Sequence, residues 1–352
     1  MKRIIMRENR ITIAKAIAII LMVMCHAGFG SVFHQGDAFI NMFHMPLFFF
    51  VSGYCFKEKY LDDGRRYVEN KIKGLYLPFV KWSLLFLVLH NVFFYLNIYS
   101  DVYGWNGIVS HLYGIKETLF CAAKIVISMT ETEQLLGGYW FIKELFIGSF
   151  VSFLVFKFVR NLYFGGGILL LLTIVLSFTD FEIPFFHVCS RSFLASFFIV
   201  MGRCYKLWTF KTDAWHHTMV FAILVAVGSI YFGTSMLGYD TLQIIPYSCC
   251  AIMGTIMVLN VSQAISQRNN LVTSSLLFIG DHTLEILTWH FLSFKLVSLL
   301  IVLVYGLPLA MISEFPVVSD YASSFWILYT IVGCGLPVGG VYLKEVIKSK
   351  YK

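Results

Sequence analysis

ITIAKAIAIILMVMCHAGFG, residues 11–30, is an apolar run long enough to cross about 30 Å of hydrocarbon, yet it carries a lysine at position 15 and a histidine at position 26. A polar ionisable group inside such a run is costly, and its first reading is functional once the run is known to span a membrane. The whole chain reads the same way. Of its 352 residues 58% are hydrophobic, 17% aromatic and only 13% charged, against roughly 25% charged in a soluble domain, and the mean hydropathy is +0.76. The expected fold class is therefore an all-α integral membrane protein. Spans are expected at about 11–30, 38–56, 74–99, 139–160, 162–178, 183–202, 218–233, 243–263, 283–305 and 324–343.

Charge supports that count independently, because Lys and Arg gather on the cytoplasmic side. Of the 27 Lys and Arg residues, Lys116 and Lys124 fall in outer loops and Lys15, Lys81, Lys143, Arg191 and Lys295 within spans. All the others, beginning with Lys2, Arg3 and Arg7, fall in inner segments if the N-terminus is cytoplasmic. The expectation is a bundle of about ten transmembrane helices with both termini cytoplasmic, multi-pass in the inner (cytoplasmic) membrane. The net charge of +7 is then an orientation signal, and no nucleic-acid partner is implied. The basic start and small residues at Ala27, Gly28, Gly30 and Ser31 resemble a secretory signal. The run is too long for one and carries Lys15, so no cleavage is expected.

The eight cysteines show no CxxC or metal-ligand spacing and read as small apolar residues, with no metal expected. No linker, repeat or low-complexity segment divides the chain, so residues 1–352 are expected to form a single transmembrane domain. Two loops stand out. The inner loop 57–73 is strongly charged and serves either as an orientation signal or as an anion-binding element. The outer loop from about 100 to 138 is aromatic early, at Tyr103, Trp105 and Tyr113, and contains TLFCAAKIVISM, 118–129, too short to span and suited to the interface or to re-entry.

Inside the membrane, Lys15 and His26 are eleven residues apart, three helical turns plus about 20°, so they share one face about 16 Å apart along the axis. Singly, each has a bland reading: a snorkelling anchor for the lysine, a packing hydrogen bonder for the histidine. Shared placement favours function. In FHMPLFFFVSGY, 43–54, His44 is expected about 9 Å below the outer surface, at a depth similar to His26, which stands about four residues from the outer end of its own span. Pro46 is expected to bend that second helix, and Ser52 and Gly53 to allow close approach near its inner end. Lys81 lies about two turns from the cytoplasm, Lys143 and Glu144 near the outer end of the fourth span, Arg191 several turns deep in the sixth, and Glu285, His290 and Lys295 on the ninth. The pattern is a layered cavity, cationic towards the cytoplasm and histidine-lined further out. Cations suit a phosphate-rich donor, and neutral imidazoles suit base or nucleophile work on a hydroxyl or acyl group.

These residues carry a family likeness. The sequence resembles the acyltransferase 3 family of membrane-bound O-acyltransferases, especially its fucose 4-O-acetylase-like branch. Lys15 to His26 matches the family's basic residue, ten others, then histidine. FHMPLFFFVSGY matches its second-span motif, and KIKGLYLPFVKW, 71–82, its basic approach to the third span. YWFIKELF, 139–146, with Trp140 and Glu144, is similar to the Trp-Phe motif, and IGDHTLEILTWH, 279–290, to the late histidine motif ending at His290. Thr12 stands where the branch often has an acid, and Ala16 and Cys25 where it often has glycine, so the resemblance supplies no acid partner at the inner end of span one.

The resemblance implies acyl-CoA, most often acetyl-CoA, as donor substrate with no bound cofactor, and a carbohydrate acceptor on a surface glycan or its lipid-linked precursor, in contact with membrane lipid. By that likeness His26 is the catalytic residue. Lys15, His44, Ser52, Lys71, Lys73, Lys81, Trp140, Glu144, Arg191 and His290 are the expected substrate-binding residues. The rival class is a secondary transporter or flippase for a glycan-related substrate. Transporters usually carry inverted repeats and paired broken helices, and neither is visible here.

Overall fold

The first apolar run folds as helix α1 (Asn9–His26) and stops at the histidine. Ala27 caps it, and Gly28 follows in the left-handed region at φ 91°, the turn that ends helices where glycine removes the Cβ clash. His26 is thus the terminal residue of its helix, which corrects the expectation that the span continues about four residues beyond it. The computed structural model describes residues 8–103, 109–179, 181–209, 212 and 214–350. Lys2, Arg3, Arg7 and Trp105, read above, lie outside the described residues.

The second span is two helices, α2 (His34–Asn41) and α3 (His44–Tyr54). The break falls at Met42 and Phe43, before the first turn of α3, where Pro46 has no intrahelical N–H bond to lose. A start replaces the expected bend. The inner basic segment is not a loop: α4 (Lys59–Asp62) is followed by α5 (Gly64–Lys71), whose cap residue Asp63 accepts from the Arg66 amide at 3.0 Å. A π-turn at Ile72–Tyr76 joins α5 to α6 (Leu77–Tyr95), making one long rod.

Beyond α6 come α7 (Ile115–Ser128), α8 (Trp140–Phe158), α9 (Leu162–Thr179), α10 (Ser190–Leu207), α11 (Trp215–Phe232), α12 (Ile244–Ser266), α13 (Leu271–Asp281), α14 (Thr283–Tyr305) and α15 (Ser319–Lys350). Among the described residues there is no strand, only an isolated bridge between Ile183 and Val188. Among the described residues seven helices are long and apolar enough to cross a membrane: α1, the α5–α6 rod, α9, α11, α12 with its preceding turn, α14 and α15. The other three expected spans are also helical. The α2–α3 pair is broken, and α8 and α10 each hold three charged residues. α7 is the short segment anticipated between 118 and 129, with Leu119, Phe120 and Ile127 exposed along it and Ile125 buried.

α1 sits at the centre, packed by α3, α12, α13, α14 and α15. Small residues permit this. A Cβ on Gly280 of α13 would lie 1.9 Å from the Thr12 carbonyl oxygen, so Thr12 packs against backbone. α3 and α10 meet in the same way: a Cβ on Gly53 would stand 1.7 Å from the Ile199 oxygen, and one on Gly202 1.8 Å from that of Phe50. Such backbone contact is how helices associate where lipid offers no hydrophobic drive.

Candidate active site

A cavity of about 600 Å³, within the range of small-molecule sites, lies between α1, α3, the π-turn, α8 and α14. Its α1 wall is Glu8, Ile11, Thr12, Lys15, Ile19 and Met22, the three-and-four spacing of one helix face, over about 21 Å of axis. One end of it is basic. Lys15, Lys57 and Lys206 line it there, beside Glu8, Tyr54 and Cys55. Two cations lie beside Tyr54: the Arg10 guanidinium stands 5.6 Å from its ring centre and donates to its hydroxyl at 3.1 Å, and the Lys206 ammonium is 5.3 Å from the ring. Glu8, which accepts from the Tyr54 hydroxyl at 3.4 Å, puts an acid at this end of α1 one turn before Thr12.

The other end stops one turn short of His26, at Met22 on α1 and Leu287 on α14. Immediately beyond it, His26 Nδ1 is 3.1 Å from His290 Nε2, and the rings stack with centres 5.3 Å apart. Phe291 stacks on His26 as well, at 4.9 Å. The hydrogen bonds fix the tautomers of two neutral rings. His290 Nδ1 is 3.0 Å from the carbonyls of Ile286 and Leu287, so it donates there and its Nε2 accepts. His26 then donates through Nδ1, and its Nε2 keeps a free lone pair. His44, expected at a depth similar to His26, donates from Nδ1 to the Ile40 carbonyl at 3.0 Å; it stands within electrostatic reach of His26 without bonding to it.

Lys15 and Ser52 line the cavity, and Lys71 reaches its edge by donating to Ser52 Oγ at 3.4 Å while lying over Tyr67. The structure does not bring Lys73 and Lys81 to the cavity wall. Both are exposed, and the Lys81 ammonium rests 4.4 Å from the Trp82 ring centre. Ser52 and Gly53 divide the expected work of the small-residue pair, one facing the cavity and the other the α10 backbone.

Trp140, Glu144 and Arg191 form a separate cluster at the end of the bundle away from the basic mouth. The Arg191 guanidinium is 5.6 Å from the Trp140 ring, and Glu144 accepts from Ser192 Oγ at 2.7 Å. Lys143 pairs with Glu131 at 3.6 Å, and burial holds the Glu131 carboxyl above the ordinary carboxylate range, with Lys143 opposing. Arg191 is not several turns deep. It stands in the first turn of α10, because the helix starts only after the Ile183–Val188 bridge, at the Cys189–Ser192 capping box. Pro184 within the bridged stretch is the signal for the later start. Arg191 lines a separate polar cavity of about 350 Å³ with Glu182, Ser190 and Tyr239.

Sequence reasoning missed Lys206 and Tyr54 as cavity residues: the lysine counted only as an orientation charge and the tyrosine only as the end of a motif, whereas Lys57 belongs to the 57–73 stretch for which an anion-binding role stood beside the orientation one. No group of His, Cys, Asp or Glu among the described residues has the arrangement of a metal site, and all eight cysteines are unpaired thiols.

A family model described as an acyltransferase domain matches residues 8–345. No curated protein and no solved structure matches the chain.

Proposed function

The chain belongs to the acyltransferase 3 family, a match that runs over nearly its whole length, and from that premise we propose that it is a membrane-embedded O-acyltransferase taking an acyl group, most often acetyl, from acyl-CoA to a carbohydrate hydroxyl. The carrying observation is the cavity itself: a basic, aromatic mouth at one end, an apolar barrel along α1, and the His26–His290 pair just past the other end. In this reading the mouth faces the cytoplasm, both termini lie there, α3, α8 and α10 complete ten spans of the inner membrane, and the chain is of the fucose 4-O-acetylase-like branch. The acceptor is a surface glycan or its lipid-linked precursor.

The donor's phosphates meet Lys15, Lys57 and Lys206, with Lys71 behind Ser52, and its adenine has Tyr54 as a stacking surface. The barrel's 21 Å or so is comparable with an extended pantetheine arm. Its thioester then arrives below His26. The free Nε2 of His26 takes the proton of the acceptor hydroxyl, whose oxygen attacks the thioester carbonyl. The C–S bond breaks, and the departing thiolate takes the proton back from the imidazolium, so that ester and free CoA leave a neutral pair. His290 stabilises the imidazolium through the Nδ1–H bond, which becomes charge-assisted at that moment.

The test is incubation of purified protein in detergent with radiolabelled acetyl-CoA and a panel of cell glycans. Transfer of label supports the reading. Substrate counterflow in liposomes without any acyl transfer would replace it with a transporter.

A further inference from the structure

At the end of the bundle opposite the basic mouth, a polar recess of about 370 Å³ opens between α2 and the turn 233–238 that follows α11. Asp37 and Asn41 form one wall and Ser229, Thr234 and Ser235 the other, with Gln35 at the rim. Its rim is open: His34, Gln35, Gly233 and Gly238 are all exposed. The groups are pre-set by their own bonds. Gln35 donates to Ser229 Oγ at 2.9 Å, Asn41 to Asp37 Oδ2 at 2.8 Å, and Thr234 to the Gly238 carbonyl at 3.0 Å.

Asp37 packs against the turn that follows His26: a Cβ on Gly30, four residues past it, would stand 3.1 Å from the Asp37 Cγ. Its carboxylate also interacts with the Cys25 thiol, next to His26 in the chain, and with the His44 ring. The recess and the donor cavity have no lining residue in common. The recess lies beside the turn that follows His26, and the donor cavity stops one turn before His26.

We propose that this recess is the acceptor subsite, and that the unit it takes is a neutral sugar residue. The proposal rests on the acyl-transfer reading above and adds the acceptor's class and place. One carboxylate, two carboxamides and several hydroxyls are hydrogen-bonding partners for a ring of vicinal hydroxyls. There is no Lys or Arg among the lining residues, and Asp37 disfavours a second negative charge beside it. A phosphorylated or carboxylated unit is poorly served there. Asp37 acts as a positioning residue, directing one hydroxyl towards His26.

The test uses cells that make the protein, with the gene deleted and restored as variants, and reads base-labile acyl ester on total extracted surface saccharide by NMR. Ser235→Trp fills the recess, while Asn41→Ala and Thr234→Val remove one partner from each wall. Each variant is also purified for CoA affinity by calorimetry and for thermal stability. The expected result is at least a tenfold loss of ester in Ser235→Trp and a three- to tenfold loss in the two smaller changes, with CoA affinity within twofold of wild type throughout. The ester itself should sit on a neutral residue. Unchanged ester in all three variants, a loss matched by an equal loss of CoA binding, or ester carried on an acidic sugar would overturn the assignment. A wild type that adds no ester over the deletion, and transfers no label in vitro, would instead remove the acyl-transfer reading on which it stands. Should Ser235→Trp fail to fold, the two smaller variants decide the matter.

Discussion

Replacing His290 by alanine isolates what the paired histidines do. In the resting pair the Nδ1–H of His26 is bonded to His290 Nε2 at 3.1 Å, a neutral bond of about 0.5–1.5 kcal/mol net. When His26 takes a proton, the same bond joins a charged donor to a neutral acceptor and rises to about 1.5–3 kcal/mol. His290→Ala removes that support and also the acceptor that fixes the His26 tautomer. Only the gain of about 1–1.5 kcal/mol between resting and charged bond bears on turnover, and at about 1.36 kcal/mol per factor of ten turnover should fall roughly five- to thirteenfold. The donor cavity ends at Leu287, before His290, so KM for acyl-CoA should stay within about twofold. The assay is a donor titration on purified protein with a thermal-shift check. His290→Asn, whose side-chain oxygen can accept from His26, should recover part of the loss. Turnover within twofold of wild type would refute the role of the pair. A loss as deep as that of a His26 variant would mean that His290 performs chemistry itself.

Other changes should separate just as clearly. Lys15→Met, on the cavity wall, should raise KM for acyl-CoA by about tenfold, the scale of one charged hydrogen bond, before it lowers kcat; a pure kcat effect would contradict its donor role. His44→Gln keeps hydrogen-bonding capacity and should cost less than about tenfold in activity, since His44 bonds to the Ile40 carbonyl and not to His26; abolished turnover in a folded variant would reverse the ranking of the two histidines. Glu133→Gln should unpin the long connection between α6 and α8. His90 faces the Glu133 carboxylate at 3.2 Å and the His111 carbonyl at 3.0 Å, and both side chains of the pair are buried. Breaking such a pair costs roughly 3–5 kcal/mol, read as a fall of several degrees in Tm with CoA affinity unchanged. An unaltered Tm would show that the pair contributes nothing to the loop.

Much of this architecture is legible in the residues. The apolar runs become helices, and the eleven-residue interval from Lys15 to His26 does place both on the side of α1 that follows the cavity, because helical period alone decides it. The inner lysines of the second span's flank, Lys57 and Lys71, do gather near the mouth. What was not legible depends on single residues acting against a local pattern. Gly28 ends α1 at His26, although the apolar run continues. Asp63 starts a helix within a stretch whose charge reads as loop. Arg191 moves to the first turn of α10 because a bridge and a proline hold 183–188 out of the helix. The pairing of His26 with His290 spans 264 positions, and no period within either helix could announce it. The Gly53–Gly202 contact is hidden for the same reason, since it depends on two distant segments meeting backbone to backbone.

The central claim is that His26, with its Nε2 free and its Nδ1 bound to His290, carries the transfer step at the end of the donor cavity. It is tested most directly by one measurement: turnover of radiolabelled acetyl-CoA by purified His26→Ala, alongside CoA affinity by calorimetry on the same preparation. The account predicts a CoA affinity within about twofold of wild type and a loss of turnover of about 10²–10⁴-fold, the scale of a missing general base. A His26→Ala protein that turns over at the wild-type rate would contradict it.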